Sequence, residues 1–175
     1  MRPIQFIPGA ISFLRILIGL AFPWLPGEWR LPAVVLGGLT DLLDGQVSRL
    51  LKAQSLWGRL LDPIADKIFF FAVVGTLLAD GSLAWWEALL VGTRDLAVLI
   101  GAGIMLLKKG WALSARMYPR LLGKLTTGLQ ILYVVALLWD PQTLAGVLLV
   151  PTAVASCLAA VDYYFAMRAD AVGPK

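Results

Sequence analysis

The sequence predicts an all-α integral membrane protein with six transmembrane helices. Three observations carry that expectation. Of its 175 residues 59% are hydrophobic, with a mean hydropathy of +0.81, whereas a soluble domain runs about 45–50% apolar. Six apolar runs of roughly 16–25 residues follow one another, each long enough to cross a bilayer. Lysine and arginine gather on alternate connections between those runs.

Residues 1–9 carry Arg2, Ile4, Phe6 and Ile7 and read as an interfacial lead-in, too short and too weakly basic for a cleavable signal. The first run covers residues 10–25 and is interrupted only by Arg15. Pro23 and Pro26 break it, and GEWR (27–30) makes a short connection. The second run covers residues 31–51, and KAQSLWG (52–58) is the next polar turn. The third begins at Gly58 or Arg59 and ends at Ala79, with DGS (80–82) as its turn. Pro63 leaves that start open, because Asp62 could be an N-cap with Pro63 in the first helical position.

The fourth run covers residues 83–107, and its Trp85–Trp86 pair suits a membrane interface. KKGWALSARMYPR (108–120) is the longest polar connection. The fifth run spans 121–139, DPQT is a turn, and the sixth spans 144–167 before the tail RADAVGPK. There is no internal repeat or interdomain linker, so residues 1–175 read as one domain.

Arg2, Arg49, Lys52, Arg59, Lys108, Lys109, Arg116, Arg120, Lys124, Arg168 and Lys175 all fall on one side of this topology. The other side has Arg30 with Glu28, Asp80, Glu87 and Asp140. The positive-inside rule therefore places both termini on the cytoplasmic side. A net charge of +4, divided among connections between apolar spans, suits lipid headgroups or phosphorylated substrates better than nucleic acid. The single cysteine, Cys157, excludes an intramolecular disulfide framework. With no histidine, any proton transfer falls to Asp, Glu, Lys, Tyr or water.

The stretch DLLDGQVSRLLKAQSLWGRLLDPIADK, residues 41–67, sets four aspartates into this apolar chain. Asp41 and Asp44 are three apart and Asp62 and Asp66 four apart, so at helical spacing each pair shares a face. Such groups between membrane-length spans need a bundle interior or wet cavity to receive them. Four clustered carboxylates repel one another unless protonated or bridged, and hard divalent cations are the natural bridge.

The spacing Asp41-x2-Asp44-Gly45-x2-Ser48-Arg49-x8-Gly58-x3-Asp62-x3-Asp66 resembles the signature of the CDP-alcohol phosphatidyltransferase family, D-x2-D-G-x2-A-R-x8-G-x3-D-x3-D, with Ser48 in place of Ala. Three further segments extend the likeness. Trp85–Trp86 followed by Thr93-Arg94-Asp95 looks like the fourth span of phosphatidylglycerophosphate synthases, where Arg-Glu is common. FIPGAISFLRI is similar to the IPNLLTLFR-type opening of phosphatidylglycerophosphate synthases, with Gly9 in place of the usual Asn or Thr. Gly123-Lys124-Leu125-Thr126-Thr127 is similar to their GK-x-K-T-T segment, with one lysine missing.

The resemblance implies a six-helix bundle, a homodimer in a bacterial cytoplasmic membrane with its active site facing the cytoplasm. It implies transfer of a phosphatidyl group from CDP-diacylglycerol to an alcohol, most like glycerol 3-phosphate, with release of CMP. One or two Mg²⁺ or Mn²⁺ ions would be held by Asp41, Asp44, Asp62 and Asp66. Asp66 is also the implied general base. Gly45, Ser48 and Gly58 would admit the CDP-lipid close to the backbone. Asp41, Asp44 and Asp62 would share in binding that substrate, and Arg49 would pair with its phosphates.

Other charges allow two readings each. Arg94, beside Asp95, is either an acceptor-phosphate ligand or half of a structural ion pair. Arg116, Arg120 and Lys124 either line a phosphate pocket or simply obey the positive-inside rule. Arg15 either snorkels to the headgroups or faces the active site, and Lys67 either balances the charge of the aspartates or reacts. Rival functions are the same chemistry on another acceptor (inositol phosphate, serine or phosphatidylglycerol), a cation or proton transporter, and a non-catalytic scaffold. A transporter calls for charges near mid-membrane on several spans, whereas these aspartates sit at the ends of two.

Overall fold

The computed structural model describes residues 7–51, 56–109, 121–141 and 143–172; among these, side chains are described except at 7–9, 41–51, 56–63, 102, 105–109, 121 and 168–172. Every regular element among the described residues is helical, in the order α1 (Ile7–Ala21), a 3₁₀ turn (Phe22–Trp24), α2 (Gly27–Leu51), α3 (Leu56–Ala79), α4 (Trp85–Lys109), α5 (Leu121–Trp139) and α6 (Leu144–Val172). Contacts divide the chain into two compact units, Met1–Leu83 and Ala84–Lys175.

The element boundaries follow turn chemistry. Pro23 opens the 3₁₀ turn that ends α1, and the Leu25 N–H donates to the Phe22 carbonyl at 3.1 Å. Several expected boundaries move. α1 begins at Ile7, inside the expected lead-in, and α6 runs on to Val172, through the first five residues of the expected tail. GEWR is not a connection but the first turn of α2, which carries Pro32 inside it. The third helix starts at Leu56, so Asp62 is not its N-cap and Pro63 lies within it. A proline costs the helix one hydrogen bond, here to the Arg59 carbonyl, whereas ending the helix there would leave several backbone groups without partners. Gly81, at φ 73, turns the chain out of α3, as DGS predicts.

In the first unit, α1 packs on α2 and α3, and α3 also touches α2. The buried face of α1 is Ser12, Arg15 and Gly19, continued by Phe22 of the 3₁₀ turn, at offsets of three, seven and ten. Gly19 makes close approach possible, since a Cβ there would lie 2.9 Å from Phe69 Cα on α3. The tip of the Phe69 ring fills the space that a Gly37 side chain would take on α2. Phe69 thus meets two glycines on two helices, Gly19 through its backbone and Gly37 through its ring. Arg30 near the start of α2 pairs with Asp80 just beyond α3, closing the far end of this unit.

In the second unit, α6 packs against both α4 and α5. Its two faces are inverted relative to a water-soluble helix. Val147, Val150, Val154, Leu158, Val161 and Phe165 are exposed at 53–69%, while Thr152 and Ser156 are fully buried beside Ala145 and Ala159. Small and hydroxylic residues inside with large apolar ones outside is the pattern lipid selects, because lipid gives no reward for burying Val or Leu. Residues 122–139 and 144–167 are each apolar and long enough to cross a membrane.

Polar side chains tie the second unit together. Ser156 donates to the Val91 carbonyl at 2.8 Å and accepts from the Arg94 N–H at 3.0 Å. Thr126 donates to the Leu122 and Ala155 carbonyls at 2.8 and 3.1 Å. Glu87 reaches back to the Ala84 N–H at 3.0 Å and caps α4. Asp140 caps α6 through the Thr143 N–H at 3.1 Å.

Candidate active site

The motif spreads over α2 and α3. Asp41, Asp44, Gly45, Ser48 and Arg49 occupy the last turns of α2, and Gly58, Asp62 and Asp66 lie on α3. All these positions are helical, so each aspartate pair does share a helix face. The side chains of Asp41, Asp44, Gly45, Ser48, Arg49, Gly58 and Asp62 lie outside the described residues. Asp66 is described, with its side chain 46% exposed.

Asp66 has a partner that sequence spacing did not reveal. The Arg15 guanidinium, 2% exposed, donates through Nη1 to Asp66 Oδ1. Arg15 therefore does not snorkel to the headgroups. It turns inward from α1 onto α3, where a charge in an apolar bundle requires an opposite charge. The signal available beforehand was the α1 stripe of Ser12, Arg15 and Gly19, two small residues flanking a cation at helical spacing. Lys67, the next residue along α3, is half-buried.

The charged residues expected to meet an acceptor are placed in part. Arg94 on α4 donates from Nη1 to Thr127 Oγ1 of α5 at 3.0 Å, and lies 3.6 Å from Asp95 Oδ1. Its Nη2 lies 3.1 Å from where a Gly123 Cβ would stand, so the missing side chain at Gly123 leaves room for the guanidinium. Asp95 is buried and accepts from Gln130 Nε2 at 2.6 Å, and the same nitrogen donates to the Val91 carbonyl at 2.8 Å. Arg94 is thus brought against the Gly123–Thr127 segment, with Lys124 exposed on the same helix. Arg116 and Arg120 lie outside the described residues.

Among the described residues no cluster of three potential metal ligands occurs, and three of the four aspartate side chains fall outside them. The donor set itself suits a hard divalent ion. It consists of carboxylates alone, paired on two neighbouring helices, without histidine or thiolate to favour zinc.

An all-helical membrane protein with paired aspartates on two adjacent helices is the class these features define. The sequence model of the CDP-alcohol phosphatidyltransferase family matches residues 5–162, and the chain belongs to that family. A CDP-diacylglycerol–glycerol-3-phosphate 3-phosphatidyltransferase of Sodalis glossinidius is 29% identical over 91% of this chain and 89% of its own length. Another of that name, from Pectobacterium atrosepticum, is 30% identical over 75% of this chain and 71% of its own. A cardiolipin synthase (CMP-forming) of Streptomyces coelicolor is 30% identical over 57% of this chain and 51% of its own. The chain spans about half the length of several of the curated relatives it matches.

Proposed function

We propose that this chain transfers the phosphatidyl group of CDP-diacylglycerol to sn-glycerol 3-phosphate, giving phosphatidylglycerophosphate and CMP. The observation that carries this reading is the eight-position motif laid along α2 and α3, matched at every position but Ser48 and complete in its four aspartates. The relatives from Sodalis and Pectobacterium, named for that reaction and matched over most of their length, support it.

In the proposed reaction, a hydroxyl oxygen of the acceptor attacks the phosphorus that bears diacylglycerol. Its proton passes to the Asp66 carboxylate, and the bond from that phosphorus to the CMP phosphate oxygen breaks in line. With no histidine in the chain, a half-exposed carboxylate is a suitable base. Asp41, Asp44, Asp62 and Asp66 would hold one or two Mg²⁺ or Mn²⁺ ions, which would neutralise pyrophosphate charge in the substrate and leaving group. Arg49 would pair with the same phosphates, and the small residues Gly45, Ser48 and Gly58 would let the CDP-lipid approach the helix backbones. Arg94, Arg116, Arg120 and Lys124 would take the acceptor's phosphate.

The reading extends to six transmembrane helices forming one catalytic domain. They would lie in a bacterial cytoplasmic membrane as a homodimer with the motif facing the cytoplasm. The asymmetry of lysine and arginine between the two sets of connections supports that orientation.

A second reading keeps the chemistry and changes the acceptor to phosphatidylglycerol, as the name of the Streptomyces relative suggests. Measuring CMP release from CDP-diacylglycerol with a panel of acceptors separates the two. Release that requires glycerol 3-phosphate supports the first, and release only with phosphatidylglycerol supports the second. Release with neither, in protein that is folded, removes both.

A further inference from the structure

We infer that Arg15 is a positioning residue for the reaction: its buried guanidinium holds one oxygen of Asp66 so that the carboxylate stands where the acceptor hydroxyl needs it. The inference rests on the reading of Asp66 as the base.

Three observations carry it. Arg15 is 2% exposed while the Asp66 side chain is 46% exposed, so the pair is anchored from within and open on its acidic side. The contact runs from Nη1 to Oδ1, one named oxygen of the carboxylate. The helix register that creates the pair is set elsewhere. Gly19 meets Phe69 with no room for a side chain, and Arg15 and Asp66 lie one turn back along the same α1–α3 seam. Because α1 and α3 run in the same direction there, locking the first pair places the second.

A carboxylate on a short side chain still has two torsions to lose, and its productive orientation must exist when the acceptor arrives. A misplacement of about 1 Å can cost on the order of a hundredfold in rate. A cation with a rigid planar fork, itself buried in helix packing, restrains that carboxylate better than a mobile surface lysine. Arg15 acts through Asp66 and need not touch either substrate.

The test compares Arg15→Gln, Arg15→Lys and Asp66→Asn in the 175-residue chain purified in detergent, with thermal unfolding followed by helical circular dichroism. CMP release is measured with whichever acceptor supports turnover, with kcat and both KM values obtained separately. The expected result is a kcat lowered about ten- to hundredfold in Arg15→Gln, both KM values within about twofold of wild type, and an intermediate kcat in Arg15→Lys. Wild-type kcat in folded Arg15→Gln, or a loss confined to KM, overturns the inference while leaving Asp66 in its role. If the glutamine variant does not fold, Arg15→Lys decides alone. A reduced kcat at unchanged KM then supports positioning, and wild-type kcat overturns it. Full turnover by Asp66→Asn removes the base assignment itself and the inference with it.

Discussion

Gly19 and Phe69 touch so closely that a single added methyl group would stand 2.9 Å from the Phe69 Cα. Backbone, not a flexible side-chain end, is what that methyl would meet. The contact sets the distance and register of α1 against α3, and the Arg15–Asp66 pair follows from it one turn away.

Gly19→Ala is therefore expected to destabilise the protein, even though alanine is the better helix former by about 1 kcal/mol. Overpacking costs about 1–3 kcal/mol and wins here because the helices must separate. Gly75, in the same α3 helix, is the control. A Cβ there meets nothing within 4 Å, so Gly75→Ala should leave the midpoint unchanged or raise it. Thermal unfolding of the two variants beside wild type checks both signs. Equal midpoints for the pair would mean the seam is looser than its geometry.

Gln130→Leu removes the donor shared by Asp95 Oδ2 and the Val91 carbonyl in the interior of the second unit. Taking one partner from a buried hydrogen bond costs about 1–3 kcal/mol. A lowered unfolding midpoint in detergent is the expected outcome. An unchanged midpoint would show that Asp95 is held by its other contacts.

Asp66→Asn keeps the shape of the side chain and removes its capacity to accept a proton. CMP release should fall by about 10²–10⁴, with no loss of helical signal. EDTA should abolish release by the wild-type chain, and added Mg²⁺ or Mn²⁺ should restore it. Activity that persists in EDTA would remove metal ions from the proposed role of the four aspartates.

Arg94→Gln deletes the guanidinium that lies between Thr127 and Asp95. If that group takes the acceptor's phosphate, the KM for glycerol 3-phosphate should rise about tenfold or more, since a charge-assisted contact contributes about 1.5–3 kcal/mol. The KM for CDP-diacylglycerol should stay within about twofold. A fall in stability with both KM values unchanged would make Arg94 structural.

Arg30→Gln breaks the pair with Asp80 at the surface of the first unit. A pair of this exposure is expected to contribute under about 1 kcal/mol, so the unfolding midpoint should shift by only a few degrees. A larger loss would point to the Arg30 Nε bond to the Leu25 carbonyl, at 3.2 Å, as the significant contact.

Much of this molecule was legible along the chain. The helices follow from apolar run length, and the fifth, expected at 121–139, is found as Leu121–Trp139. The turns at DGS and DPQT follow from local chemistry, a glycine with positive φ in one and an aspartate cap in the other. The family was legible too, because its motif is a spacing within two adjacent helices. Proline was less legible. Pro63 left the start of the third helix open and proved to be a helix interior, because the cost of one lost hydrogen bond is local and the packing that offsets it is not.

What the sequence by itself determined is what depends on near neighbours: apolar length, charge asymmetry, turn residues, and aspartates repeated on one helix face. Only the tertiary structure decided what lies across a seam. Arg15 finds Asp66 at a separation of 51 residues, Phe69 finds two glycines on two other helices, and Arg94 finds the space left by Gly123. Each depends on interhelix distance and register. Close packing of small residues sets these, and no periodicity within a single helix encodes them.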